Sequence, residues 1–93
     1  MKSIKFDNYS DVPYNYTGIV EYKNGSIEYY LNGEYHREDG PAVIFSNGRK
    51  DWYLKDKRIS TEKVNEWIIE NNIPEDYKLW NNSHKLLFKL TFG

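Results

Sequence analysis

Thr17-Gly-Ile-Val-Glu-Tyr-Lys-Asn-Gly-Ser-Ile-Glu-Tyr-Tyr-Leu-Asn-Gly-Glu-Tyr35 and Gly40-Pro-Ala-Val-Ile-Phe-Ser-Asn-Gly-Arg-Lys-Asp-Trp-Tyr-Leu-Lys-Asp-Lys-Arg58 say nearly the same thing twice. Laid over each other, Val20 falls on Val43, Tyr22 on Phe45, Asn24-Gly25 on Asn47-Gly48, Glu28 on Asp51, Tyr29 on Trp52, Tyr30 on Tyr53 and Leu31 on Leu54, always 23 residues on. A fixed period of this length marks a small repeat array, in which each unit buries its apolar face only against its neighbours. Two units are too few to close a core, so the rest of the chain must supply the cover.

In each unit an Asn-Gly pair stands between two alternating runs, which predicts a two-residue hairpin turn with both central residues at positive φ. Centring the turn on Asn24-Gly25 sets Tyr22 opposite Ile27, Val20 opposite Tyr29 and Gly18 opposite Leu31. Side chains alternate along a strand, so these residues share one face, and Ile19, Glu21, Glu28 and Tyr30 take the other. The same pairing about Asn47-Gly48 puts Pro41, Val43, Phe45, Trp52 and Leu54 on the first face, with Ala42, Ile44, Asp51 and Tyr53 on the second. Asn32-Gly33 and Lys55-Asp56 read as further tight turns. The expected product is an antiparallel meander with one strongly apolar face.

Upstream, Ser3 to Phe6 reads as a short strand, and Val12 is held extended by Pro13. Downstream, Ser60 is a good helix N-cap, Ile59 and Val64 form a hydrophobic staple, and a helix follows from Thr61 to Asn72 with Val64, Trp67 and Ile68 on one stripe. Asn71-Asn72 and Pro74 stop it. Beyond an irregular stretch, Leu86, Phe88, Leu90 and Phe92 alternate with Lys85, Leu87, Lys89 and Thr91, which predicts a half-buried last strand. The expected fold class is α+β, a single domain over 1–93. It comprises an N-terminal segment (1–16), two hairpin repeats (17–58), a capping helix (59–73) and a final strand (84–92).

Composition narrows the function classes. The chain has 93 residues, with 13 Lys and Arg against 14 Asp and Glu, and a net charge of −1 exerts no global pull toward nucleic acid or membrane. With no cysteine, disulfides, thiolate catalysis and cysteine-ligated zinc are excluded, and a reducing cytoplasm is the natural setting. The N-terminus lacks an apolar signal core and no segment approaches a membrane span, so a cytoplasmic protein is expected. Nine Tyr, three Trp and four Phe exceed what a core of this size needs.

The stretch Leu31-Asn-Gly-Glu-Tyr-His-Arg-Glu-Asp-Gly-Pro-Ala-Val-Ile-Phe-Ser-Asn-Gly-Arg-Lys-Asp-Trp-Tyr-Leu54 resembles the repeat of small bacteriophage and giant-virus proteins, in which His-Arg-Glu-Asp-Gly-Pro-Ala recurs before each hairpin. That repeat is related in pattern to MORN repeats and to the MORN-like antitoxin family. The resemblance covers Tyr16 to Ser60, and the closing helix and Phe88-Lys-Leu-Thr-Phe-Gly93 tail also look like the ends of such phage proteins. This chain holds one full His36-Arg-Glu-Asp-Gly-Pro41 copy; Pro13-Tyr-Asn-Tyr-Thr-Gly18 stands before the first repeat, and Ile59 replaces the histidine after the second. The resemblance implies a MORN-like meander in a phage-encoded accessory or anti-defence protein that binds and modulates a host protein in the host cytoplasm.

His36, Arg37, Glu38 and Asp39 bring together groups suited to metal binding or acid–base work. The structural reading outweighs that one: Asp39 caps the turn into Gly40-Pro41, and Arg37 ties an acidic side chain on the neighbouring repeat. His84 is the only other histidine, and no nucleophile–base pair, phosphate loop or nucleophile elbow can be assembled. No catalytic residue, metal or cofactor is expected, and the protein reads as a non-enzyme. The candidate binding surface is Tyr14, Tyr16, Tyr30, Tyr35 and Tyr53 with His36, Arg37 and Arg49, because tyrosine and arginine supply rigid contact area at low entropic cost. Tyrosine as cross-strand cement is the alternative use. The expected partner is a host protein, with self-association also reasonable. A nucleotide signal sequestered between aromatic walls is the second reading. Glu21, Glu28 and Asp51 disfavour nucleic acid, and the near-neutral charge disfavours a membrane surface.

Overall fold

In the computed structural model, which describes residues 3–93, Asn24-Gly25 and Asn47-Gly48 each close a three-residue loop rather than a two-residue turn. Met1 and Lys2, the start of the N-terminal segment, lie outside the described residues. Tyr22 donates its N–H to Ser26 O at 2.8 Å and accepts from Gly25 N–H at 2.9 Å; Phe45 makes the same pair of bonds with Arg49 and Gly48. Only the glycines take positive φ, 94° at Gly25 and 91° at Gly48, as in a type I turn closed by a bulge. The asparagine side chains explain why: Asn24 Oδ1 accepts from Ser26 N–H and Asn47 Oδ1 from Arg49 N–H, at 2.9 and 3.0 Å, which favours the compact Asx turn. Asn32-Gly33 and Lys55-Asp56, in contrast, are two-residue turns with both residues at positive φ.

One more residue in a loop slips the register by one and sends the returning strand's side chains to the other face. Val20 therefore lies opposite Glu28, and Val43 opposite Asp51. The expected faces are corrected accordingly. Val20, Tyr22, Glu28, Tyr30, Val43, Asp51 and Tyr53 share one face, and Ile19, Tyr29, Ile44, Trp52 and Leu54 the other. Val20 and Val43 are thus separated from Tyr29 and Trp52, with which they were expected to pack.

The described residues form β1 (Ser3–Phe6), β2 (Gly18–Tyr22), β3 (Ile27–Leu31), β4 (Glu34–Tyr35), β5 (Val43–Ile44), β6 (Lys50–Leu54) and β7 (Lys57–Ile59). They make one open sheet in the order β1-β2-β3-β5-β6-β7, with β4 also paired to β3. All pairs are antiparallel except β1 with β2, which run parallel. With two C-terminal helices the fold is mixed α+β.

Helix α1 (Thr61–Glu70) begins where its cap predicts, with Ser60 Oγ accepting from Lys63 N–H at 3.2 Å. The expected final strand is instead α2 (Asn82–Phe92). Leucine and lysine are good helix formers, and the run has only one β-branched residue, Thr91. A cap completes the reversal: Asn81 Oδ1 accepts from His84 N–H and His84 Nδ1 accepts from Asn81 N–H, at 2.9 and 3.1 Å. Phe88 and Phe92, one turn apart, then face inward together.

Both helices cover the face carrying Trp52 and Leu54. Trp52, Leu54 and Ile59 of the sheet pack with Val64, Trp67 and Ile68 of α1, then Ile73, Trp80 and Phe88. Phe88 is fully buried at the centre, its ring 5.6, 5.5 and 5.4 Å from those of Trp52, Trp67 and Trp80. Trp80 Nε1 donates to Pro74 O at 2.8 Å, whereas the buried Trp67 Nε1 has no partner, which costs about 1–3 kcal/mol. Phe88→Ala should lower stability by about 3–5 kcal/mol, a large share of what a domain of this size has. Urea unfolding reads this directly, against Leu86→Ala on the same helix, whose exposed side chain should matter by less than about 0.5 kcal/mol.

Candidate functional site

The register that sets Val20 opposite Glu28 also gathers the tyrosines. Alternation puts Tyr22 and Tyr30 beside Glu28, β4 brings Tyr35 opposite Tyr30, and Tyr53 follows on β6. With Phe6 and Tyr16 they make a continuous aromatic row. Centroids are 6.4 Å apart from Phe6 to Tyr16, 6.3 Å to Tyr30, 5.1 Å to Tyr35 and 5.1 Å to Tyr53. Edge-on and tilted contacts at these separations are attractive, worth about 0.5–1.5 kcal/mol each beyond burial.

Glu28 is the polar centre of the row. Its Oε1 accepts from Tyr22 OH at 2.5 Å and Tyr30 OH at 2.6 Å, and its Oε2 from Tyr35 OH at 3.0 Å. Three phenols take the place of water around one carboxylate, and hydrogen bonds to an ionised acceptor are about twice as strong as neutral ones. Burial raises all three phenols well above the ordinary tyrosine value of 10.0. Donation to Glu28 pushes Tyr22 and Tyr30 further the same way; for Tyr35 the Glu28 charge adds to burial, against a partly offsetting bond with Tyr30.

Asp51 stands 23 residues on from the half-buried Glu28 and is itself buried. Its Oδ1 lies 3.5 Å from Arg49 Nη2 and 3.8 Å from Arg58 Nη2, and both arginine side chains are at least half exposed. The face thus runs from rings clustered on one carboxylate to a cationic border held by another. A groove of about 720 Å³ begins at Arg49, Asp51 and Arg58 but runs on to Trp52, Ile68 and Tyr77, so it opens at the sheet edge toward the helical side and not on the tyrosine face. Tyr16, Tyr22, Tyr35 and Tyr53 keep part of their rings in water, while Tyr30 is buried.

The His36–Pro41 segment does different work. Arg37 lies over the rings of Tyr29 and Tyr77, 4.0 and 5.0 Å from their centroids, donates to Asp39 Oδ1 at 2.8 Å and to Pro41 O at 3.2 Å. Its acidic partner is thus in its own motif, not on the neighbouring repeat as expected. A Cβ on Gly40 would stand 2.8 Å from Tyr77 Cδ2 and 2.9 Å from Arg37 Cζ, so any other residue would have to push this stack aside. His36 Nδ1 accepts from Lys55 N–H at 3.0 Å, which places the ring hydrogen on Nε2, facing Glu38 Oε2 at 3.3 Å. Lys89 Nζ reaches the same oxygen from α2 at 3.5 Å. Both ring nitrogens of His36 are thus engaged in contacts within the fold. The segment clamps β3, the β6–β7 turn and α2 together.

Of the candidate residues, Tyr16, Tyr30, Tyr35, Tyr53 and Arg49 share the aromatic face. Arg37 lies with Tyr29 on the opposite side, His36 sits against the β6–β7 turn, and Tyr14, 98% exposed, stands off the row. Glu28 and Asp51 share the face with Tyr30 and Tyr53, as the alternation predicts, whereas Tyr22 and Arg58 were not expected there. The usable signal was a carboxylate at equivalent positions of both repeats, each two residues before a tyrosine. Among the described residues no cluster of three potential ligands could hold a metal ion, and no helix is long and apolar enough to cross a membrane.

Comparison of the chain with family models, with curated proteins and with solved structures finds no match in any of the three.

Glu28→Gln removes the charge while keeping the shape, and should lower stability by about 1–3 kcal/mol. The raised phenols favour the neutral form in the folded state, so their contribution is whole below pH 10 and is lost as pH rises beyond it. Ultraviolet titration should find tyrosines that resist ionisation until the protein unfolds in alkali, and fewer of them in Glu28→Gln. Ionisation of every tyrosine in one step while circular dichroism still reports a folded chain would contradict the Glu28 cluster.

Proposed function

We propose that this is a non-enzymatic binding protein whose tyrosine face engages another protein. In the setting implied by its resemblance to MORN-like phage proteins, it is an accessory protein that binds and modulates a host protein against host defence. One observation carries the binding reading: the Tyr16-Tyr30-Tyr35-Tyr53 row, held by Glu28 and bordered by Arg49 and Arg58, is a pre-ordered surface of the residue types that dominate protein contacts. Rings already fixed by their neighbours lose little freedom on binding. In the MORN-like repeat reading, each 23-residue unit contributes one acidic and one tyrosine position to this surface, Glu28 with Tyr30 and Asp51 with Tyr53.

The second reading, a sponge for a nucleotide signal, calls for aromatic walls that part around a base. Here each ring of the row touches the next, at 5.1–6.4 Å between centroids, a closed surface better matched to a broad partner.

Affinity capture from a bacterial lysate, read by mass spectrometry, tests the proposal. One host protein should be enriched, and Tyr53→Ala with Arg58→Ala should weaken its capture roughly tenfold or more. Leu86→Ala on α2 should leave capture unchanged. Undiminished capture by the Tyr53/Arg58 variant would move the interface off this face.

A further inference from the structure

Around β7 the molecule gathers positive charge that the chain as a whole lacks. Two grooves meet at Lys57 and Phe92, one of about 480 Å³ toward α2 and one of about 460 Å³ toward the start of α1. Lys55, Lys57, Arg58, Lys63 and Lys89 line them, against the single side-chain carboxylate of Glu38. Counting a carboxylate at Gly93 as well leaves five cations against two anions, in a chain whose net charge is −1. Glu38 is already held by Lys89 Nζ at 3.5 Å and faced by His36 Nε2 at 3.3 Å. Lys55, Lys57 and Lys63 are exposed, and among the described residues none of the three has an anion within ion-pair distance.

The local structure does not call for these ammonium groups. Lys63 is the third residue of α1, where a glutamate would complete a capping box with Ser60 and where the positive end of the helix dipole disfavours a cation. Lys55 and Lys57 enter the fold through their backbones, Lys55 by its N–H to His36 Nδ1 and Lys57 by pairing with Leu54. Like charges brought together without counter-charge repel one another, so the cluster weakens the fold slightly until an anion arrives. Between the cations the lining is apolar: Leu54 and Ile59, each 5% exposed, and Phe92, whose ring packs edge-on against Trp67 at 5.9 Å.

We infer that these joined grooves bind an acidic polypeptide segment, with its carboxylates on Lys55, Lys57 and Lys63 and an apolar side chain against Phe92. The inference stands apart from the reading of the tyrosine face. Three separated ammonium groups match carboxylates spread along an extended chain; a lone phosphate is better held by a guanidinium fork. Leu54 and Ile59 are recessed, within reach of an inserted side chain but not of a bilayer surface. One ring, packed on its inner side, offers no platform for stacking successive bases. Charge complementarity of this kind speeds encounter and fixes the register of the bound segment.

Fluorescence anisotropy on the full chain, with a dye-labelled peptide in which pairs of glutamate alternate with leucine, tests the inference. Binding should saturate below about 1 mM peptide and weaken about tenfold or more between about 50 mM and about 500 mM salt. Lys57→Glu with Lys63→Glu should weaken it about tenfold or more, with unchanged far-ultraviolet circular dichroism, since Lys63→Glu completes the capping box. Lys57→Arg with Lys63→Arg should keep it within about threefold. Lys23→Glu with Lys78→Glu, the same change of net charge away from these grooves, should also keep it within about threefold. No binding up to about 1 mM peptide overturns the inference, as does equal weakening by the two pairs of charge reversals. Equal binding of a peptide with glutamine in place of glutamate overturns it too. Tighter binding to phosphatidylserine vesicles or to oligothymidine than to the acidic peptide would assign the grooves to a lipid surface or a nucleic acid instead.

Discussion

Three-residue loops at Asn24-Gly25 and Asn47-Gly48 set the parity of the sheet, and the rest of the molecule depends on that parity. With one residue fewer in each loop, Glu28 would face away from Tyr22, and Trp52 would join Val43 on one side. Neither the carboxylate bound by three phenols nor the tryptophan cluster under the helices would then exist. The bond from each asparagine side chain to the N–H two residues on is a small local term. It coincides with the register in which both faces are satisfied, which is the agreement between levels expected of a sequence that folds to one state.

The two faces are both aromatic but are stabilised differently. Beneath the helices, Trp52, Trp67, Trp80 and Phe88 exclude water and gain by burial and dispersion. On the other face the rings are polar-tipped, and their hydroxyls converge on Glu28, so a carboxylate that would be costly to desolvate alone becomes the anchor of the row. Arg37 links the sheet to the helical side, stacking on Tyr29 of β3 and on Tyr77 just ahead of α2. The same motif ties in α2 through Glu38 and Lys89.

Separation of the faces leaves the tyrosine side of the sheet uncovered by the helices. A surface whose rings are fixed by neighbours can meet a partner without ordering itself first.

Much of the chain was legible locally. Ser60 followed by Val64, Trp67 and Ile68 specifies α1, and Asn32-Gly33 and Lys55-Asp56 specify tight turns, because a cap, a 3.6-residue spacing and a positive φ are properties of a few adjacent residues. The equivalence of Tyr30 and Tyr53 followed from the 23-residue spacing whatever the loop length. His84 to Phe92 was not legible, since alternation and one-turn spacing both fit the same leucines and phenylalanines. What decided it was the docking of Phe88 among three tryptophans that lie 36, 21 and 8 residues earlier. The parallel pairing of β1 with β2 and the gathering of Tyr22, Tyr30 and Tyr35 on Glu28 are likewise contacts between separate segments. The amino-acid sequence by itself determined the hairpins, the first helix, the lack of cysteine chemistry and the surplus of tyrosine. Tertiary structure alone decided the register, the second helix and that Val20, Tyr22 and Val43 join the tyrosine face, because one residue of loop length costs little locally and moves whole side chains between water and core.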